Sequence, residues 1–306
     1  MKTSARPILI TPAVLRRIPL PRPSEGGDKE ERGRVLVVGG GRETPGAVVL
    51  AGLAALRAGA GKLQIATVRG NAPLVAASFP EARVFALPET RAGKPARNAA
   101  KILEAHAGAA QCVCVGPGML EDAWVARFVG ETLRLCQGGP VVLDAGGLAC
   151  LAGARELLHE LGGRAVVTPN AEELADIYGD AKERITREPL AAARRAAADF
   201  RAVVVLKGRE TFIAAPSGEV YVNRAGSVGL ATSGSGDVLA GAVAGLVARG
   251  AELLRAAAWG VYLHALAGER LAARVGPLGF LARELPDEIP RLLAELGRNS
   301  RRAGGA

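Results

Sequence analysis

Val35-Leu36-Val37-Val38-Gly39-Gly40-Gly41 is a run of four apolar residues, three of them β-branched, stopped by three glycines. A run this short and this continuous reads as a strand buried on both faces. Residues 47–58 follow as an Ala/Leu/Val helix, and Gly59-Ala60-Gly61 closes it as C-terminal glycines do. Leu63 to Val68 is the next strand. Strand, glycine turn, helix, strand is the unit from which parallel sheets are built.

The same rhythm continues outward. Strands are expected at 83–86, 111–115, 140–144, 164–168 and 202–206, with helices between most of them. Near-continuous apolar strands alternating with helices indicate a parallel sheet covered on both faces. Between 211 and 222 two short segments flank Pro216-Ser217-Gly218, which reads as a β-hairpin. From Ser235 onward the pattern is helical, at 235–249, 252–272 and 280–296. The expected fold is α/β, doubly wound, with a mostly parallel sheet flanked by helices on both faces and a helical C-terminal third. Residues 1–33, rich in Pro, Gly and charge, read as a flexible N-terminal arm with a short helix near 13–18. Residues 34–297 read as a single catalytic domain, and 298–306 as a disordered C-terminal tail.

Composition narrows the class. Nearly half of the 306 residues are apolar (49%), enough for a substantial core. The formal charge of +9 rests on Arg residues scattered among Ala and Leu, with no basic run of five or six. Aromatics are only 4%, which leaves few stacking platforms for single strands, so nucleic acid is not an expected partner. Cys112 and Cys114 alternate along an apolar stretch and should share one strand face. None of the four cysteines has metal-site spacing. Buried thiols suit a reducing compartment. No apolar run reaches 18 residues, so no membrane span is expected. A cytoplasmic homo-oligomer is the expected setting.

In sheets of this kind ligands bind beyond the carboxyl ends of the strands. The residues there are Gly39 to Gly41, Gly116-Pro117-Gly118, Asp144, Thr168-Pro169-Asn170 and Lys207-Gly208. Familiar phosphate motifs fail. The third glycine of a dinucleotide fingerprint would fall at Thr44, Gly61-Lys62 lacks the upstream glycine of a P-loop, and Ser233 breaks a hydrolase elbow around Ser235. The segment Ala231 to Gly241 is different. Its glycines run straight into a long apolar helix, so free N–H groups and the positive helix end converge at Ser235 to Asp237. That is an anion site, suited to a phosphoryl group in transfer. A carboxylate beside it, Asp237, suits a general base that takes a hydroxyl proton, or else simply caps the helix. Lys207 likewise reads as a phosphate partner or as a snorkelling surface lysine, and His264 as a core histidine.

Gly-Ser-Gly-Asp opening a helix resembles the anion hole of the ribokinase-like superfamily. The longer stretch from Gly226 to Gly241 is similar to the G-N-P-G-M-A-T-G-G-S/T-G-D-V-L-A-G signature of the NAD(P)H-hydrate dehydratases. Residues 256–268, with His264, resemble that family's next helix, and 46–61 resemble its first helix. Gly116-Pro117-Gly118 matches its G-P-G turn, and Lys207-Gly208-Arg209-Glu210-Thr211 its K-G-x-x-T nucleotide segment. The likeness runs over about residues 34–296. It implies an enzyme that uses ADP or ATP to dehydrate hydrated NADH or NADPH. Asp237 would be the catalytic base, with Gly234, Ser235 and Gly236 as the anion hole. The nucleotide would lie on Lys207 to Thr211 and Gly236. Ala47, Gly116, Gly118 and Asn170 would join Asp237 around the hydrate, and Mg²⁺ would be met by Glu173 through water.

Three departures bear on the substrate. Asn170 stands where the family has His, and Asn170 with Glu173 resembles the N-x-x-E pattern of the superfamily's kinases. Asp144-Ala145-Gly146-Gly147-Leu148 replaces D-A-D-A-L, and Ser227-Val228 replaces Asn-Pro. A small-molecule kinase and an inactive nucleotide-binding regulator are therefore the alternative readings.

Overall fold

Side chains on successive strand residues point to opposite faces, so an apolar run such as Val35 to Val38 needs cover on both sides. The computed structural model, which describes residues 6–298 except 23, 25, 121 and 137, supplies it. Among the described residues the strands are β1 (Ile8–Leu9), β2 (Arg34–Val38), β3 (Lys62–Val68), β4 (Ala82–Leu87), β5 (Cys112–Val115), β6 (Val141–Leu143), β7 (Ala165–Val167), β8 (Val203–Leu206), β9 (Thr211–Ala214) and β10 (Val220–Asn223). They form one sheet in the order β1-β10-β9-β8-β7-β6-β5-β2-β3-β4. Only β8–β9 and β9–β10 are antiparallel. The chain leaves β2 toward β3 and β4, then returns to β5 on the other side. Strand order therefore switches between β2 and β5, where the loops after two neighbouring strands diverge to open a cleft.

The two faces carry separate cores. Val35, Val37, Cys112 and Cys114 face the helices Gly46–Arg57, Ser235–Ala248, Leu253–Arg274 and Leu285–Arg298. Leu36, Val38, Val113 and Val115 face Ala123–Leu135, Ala171–Tyr178 and Pro189–Phe200. The expected common face for Cys112 and Cys114 is the one observed. The Gly46–Arg57 and Ser235–Ala248 helices approach until their backbones touch. A Cβ added at Gly241 would lie 2.0 Å from the Ala51 carbonyl oxygen, and one at Gly245 2.3 Å from that of Ala55. This contact fixes the N-terminus of the second helix, and with it Asp237, relative to β2.

The expected hairpin is present, with Ala215 N–H donating to the Glu219 carbonyl at 2.9 Å across the Pro216-Ser217-Gly218 turn. The N-terminal segment departs from the expectation of a flexible arm. Ile8–Leu9 adds a parallel strand to β10, and Leu15 in the short helix Pro12–Arg17 is completely buried. Trp259 Nε1, Arg255 and Arg249 donate to the carbonyls of Ile18, Pro19 and Pro21 at 2.8, 2.8 and 2.9 Å. Proline-rich chain with few N–H groups of its own is held here by donors from the body. The last helix ends at Arg298, and the rest of the expected tail lies outside the described residues. Among the described residues no helix is long and apolar enough to cross a membrane.

Candidate active site

The Ser235–Ala248 helix begins at Gly234, whose φ of +87° is a left-handed conformation open to glycine at little cost. No side chain caps this end, so Asp237, in the first turn, is not serving as the cap. Its carboxyl is pushed up to about 7, first by burial and then by the negative charge of Asp144, with Lys207 partly opposing. A carboxylate poised near neutrality is what proton abstraction needs. The cap alternative for Asp237 loses its support.

Across from the helix end lies a charge cluster. Lys207 Nζ donates to Asp144 Oδ1 at 2.8 Å and stands 3.6 Å from Glu173 Oε2. Thr168 Oγ1 donates to the same Asp144 oxygen at 2.7 Å. Burial works against the Lys207 charge, but Asp144 and Glu173 together hold its pKa above the usual lysine value. Glu173 is raised, by burial first and by Asp144, against the pull of Lys207. A Cβ added at Gly236 would sit 3.6 Å from both Asp144 Oδ2 and Lys207 Nζ, which places the helix N-terminus directly over the cluster. Lys207 is therefore no surface lysine. Asp144, read in the sequence as a strand-end residue, was assigned no role there and proves central to the site. Its signal was a single acid ending an apolar strand.

A cavity of about 1060 Å³ opens beside this cluster. Lys207, Gly208, Arg209, Glu210, Thr211, Ser235, Gly236 and Asn170 all line it, so the expected nucleotide segment and the helix end meet in one space. Asn170 is already engaged. Its Oδ1 accepts from the N–H groups of Glu172 and Glu173 at 2.8 and 2.9 Å, and Glu173 Oε2 accepts from Asn170 N at 2.6 Å. This reciprocal capping box starts the Ala171–Tyr178 helix. The N-x-x-E pattern thus has a helix-capping use that needs no ligand.

Ala47, Gly116 and Gly118 lie outside that cavity lining, at the β2/β5 switch. A Cβ at Gly116 would meet the Asp144 carbonyl at 1.8 Å, and one at Gly118 would meet Ala47 Cβ at 2.7 Å. Close loop packing demands glycine at both. The loop after β2 is zipped to its neighbour, with Gly40 and Gly41 N–H donating to Pro117 and Gly118 carbonyls at 2.8 and 2.7 Å. Those amides are not free to cradle a phosphate, in accord with the failed dinucleotide fingerprint.

A family model described as NAD(P)H-hydrate dehydratase matches residues 35–291. The chain belongs to the NAD(P)H-hydrate dehydratase family. It is 47% identical to an ADP-dependent (S)-NAD(P)H-hydrate dehydratase of Xanthomonas campestris over 97% of this chain and 99% of that one. Among solved structures it is similar to the ADP/ATP-dependent NAD(P)H-hydrate dehydratase of Bacillus subtilis co-crystallized with ATP/Mg²⁺. The TM-score is 0.78 at 28% identity, over 95% of this chain and 98% of that one. A hydroxyethylthiazole kinase from Pyrococcus horikoshii shares the fold alone, with a TM-score of 0.60 at 17% identity over 94% of each chain. The family shown is the one that the 226–241 stretch resembled.

Proposed function

We propose that this chain is a nucleotide-dependent dehydratase that restores hydrated NADH or NADPH. The observation that carries the reading is Asp237, uncapped and raised to about 7, at a helix end that faces the cavity lined by Lys207 to Thr211. Asp237 takes the proton of the ring hydroxyl as that oxygen attacks the terminal phosphorus of ADP or ATP. The bond to the leaving nucleotide breaks, and the N–H groups of the 234–237 turn hold the transferring oxygens. Phosphate then leaves the ring carbon far more readily than hydroxide would, and loss of a ring proton restores the dihydronicotinamide. Lys207 to Thr211 and Gly236 bind the nucleotide. The hydrate lies toward Ala47, Gly118 and Asn170.

Three carboxylates, Asp144, Glu173 and Asp237, surround one ammonium, and an incoming polyphosphate would meet that surplus of negative charge. A Mg²⁺ ion bound with the nucleotide would screen it. Among the described residues no group of three or more His, Cys, Asp or Glu could hold a metal. The ion would therefore rest on phosphates and water, with Glu173 reaching it through water.

The four free, buried cysteines fit the proposed cytoplasmic setting. Val228, an exposed apolar residue lining the cavity, and the exposed Leu278 and Leu281 fit the proposed homo-oligomer. No nucleic-acid partner is proposed. The test is to incubate the protein with hydrated NADH and either ADP or ATP while following absorbance of the reduced nicotinamide. Its return only with nucleotide supports the reading. No return with either, while a small hydroxylated heterocycle is phosphorylated, would make the chain a kinase.

A further inference from the structure

His264 is a titratable side chain of the site that the chemistry above leaves unused. It stands in the Leu253–Arg274 helix and lines the large cavity. Its Nε2 is 3.0 Å from the Ser235 carbonyl oxygen and also 3.0 Å from Ser235 Oγ. A carbonyl oxygen only accepts, so Nε2 carries the hydrogen and donates. The ring is neutral in this tautomer, and burial pushes it down to about 4 despite the bond to Ser235, with the Lys207 charge adding to the fall. It stays neutral throughout the range in which Asp237 titrates.

That fixes the direction of the neighbouring hydroxyl. With an N–H rather than a lone pair at Nε2, Ser235 Oγ cannot donate to the ring; it shares that one hydrogen with the carbonyl, and its own hydrogen is turned away. Ser235 is the first residue of the helix, 5% exposed, and lines the same cavity as Gly236. Its carbonyl is held by the same imidazole, so the first turn is anchored while its amide end stays open. We propose that His264 is a positioning residue that turns the Ser235 hydroxyl into a donor for the transferring phosphoryl group. The inference rests on the phosphoryl-transfer reading of the site. It gives His264 no proton to exchange, which separates it from an acid or base.

Four variants test it: His264→Leu, His264→Gln, Ser235→Ala and the Ser235→Ala/His264→Leu pair. Turnover is measured with hydrated NADH and ADP, and orthovanadate affinity is measured by calorimetry in the presence of AMP. Loss of one preorganised donor should lower kcat by roughly 100-fold in His264→Leu and in Ser235→Ala, with KM for ADP changed less than about 3-fold. The double variant should be no worse than either single one, because both remove the same donor. His264→Gln keeps an N–H and should recover about 10-fold of the loss. The acid midpoint of the pH profile should stay in place, and vanadate binding should weaken in parallel with kcat.

Losses that multiply in the double variant would overturn the proposal, as would an unweakened vanadate affinity or a His264→Leu enzyme with wild-type kcat. Should His264→Leu fail to fold, Ser235→Ala and His264→Gln decide alone: an unimpaired Ser235→Ala overturns it. Vanadate affinity that depends on His264 in a protein that never restores NADH would sink the dehydratase reading and leave this inference standing.

Discussion

Lys207→Met removes the one cation from the cluster and leaves a side chain of similar length. Asp144 keeps its Thr168 hydroxyl bond, but its carboxylate, with the side chain 3% exposed, loses its counter-ion. Glu173, with its side chain 17% exposed, loses the same partner. Breaking a fully buried pair costs about 3–5 kcal/mol, and the 21% exposure of the Lys207 side chain argues for the lower end, about 3 kcal/mol. The pH dependence has a definite sign. Glu173 is already raised above its ordinary value of 4.5, so the folded state binds its proton more tightly than the unfolded chain, and Lys207 opposes that rise. Removing Lys207 raises it further, so the deficit should be larger at pH 8 than at pH 5. Urea unfolding at both pH values reads this directly, and with a slope of about 3 kcal/mol per M the midpoint at pH 8 should fall by roughly 1 M. Adding Asp144→Asn should restore part of the loss. A Lys207→Met protein with wild-type midpoints at both pH values would refute the buried charge cluster.

Other substitutions probe separate links. Asp144→Asn removes a charge that raises Asp237 and frees Lys207 to lower it, so the acid limb of kcat/KM should shift to lower pH than in the wild type. Gly241→Val would drive a side chain into the Ala51 carbonyl and should cost at least about 3 kcal/mol, seen as a lower melting temperature. Leu15→Ala should cost about 2–4 kcal/mol if the N-terminal segment is packed as described, whereas a loosely held arm would show almost no change.

The strands were legible because burial on both faces writes itself as uninterrupted Val and Leu, and β2 after Arg34, β6 and β8 have that character. The hairpin was legible from Pro216-Ser217-Gly218. The N-terminal segment was not, because what holds it lies far along the chain: the Ile18–Trp259 bond spans 241 positions. No local pattern in a Pro- and Arg-rich stretch records that Leu15 has a pocket waiting. Nor did periodicity reveal the eight-residue 3₁₀ helix Ala145–Ala152, whose glycines and small residues follow directly on Asp144.

The site divides in the same way. Asp237 and Lys207 stood out because each follows a recognisable local signal, a glycine turn or a strand end. Their coupling did not, since Asp144 and Lys207 are 63 positions apart and meet only through the sheet order β6-β7-β8. His264 looked like core because its partner, Ser235, is 29 positions away on another helix. Asn170 was read toward ligand, and its capping box with Glu173 became visible only with the backbone in place.

The central claim is that Asp237 takes the hydroxyl proton, and Asp237→Asn tests it most directly. The folded carboxyl at about 7 lies above its ordinary 3.8, so ionising it costs stability as pH rises from near 4 through 7. Asn removes that cost and makes no difference to capping, so at pH 8 the variant should be at least as stable as the wild type. Nucleotide affinity should hold or improve, because a negative charge beside the phosphates is gone. Turnover of hydrated NADH with ADP should fall by at least about 100-fold, the usual worth of a general base. A stable, nucleotide-binding variant that turns over within a few-fold of wild type would contradict the account.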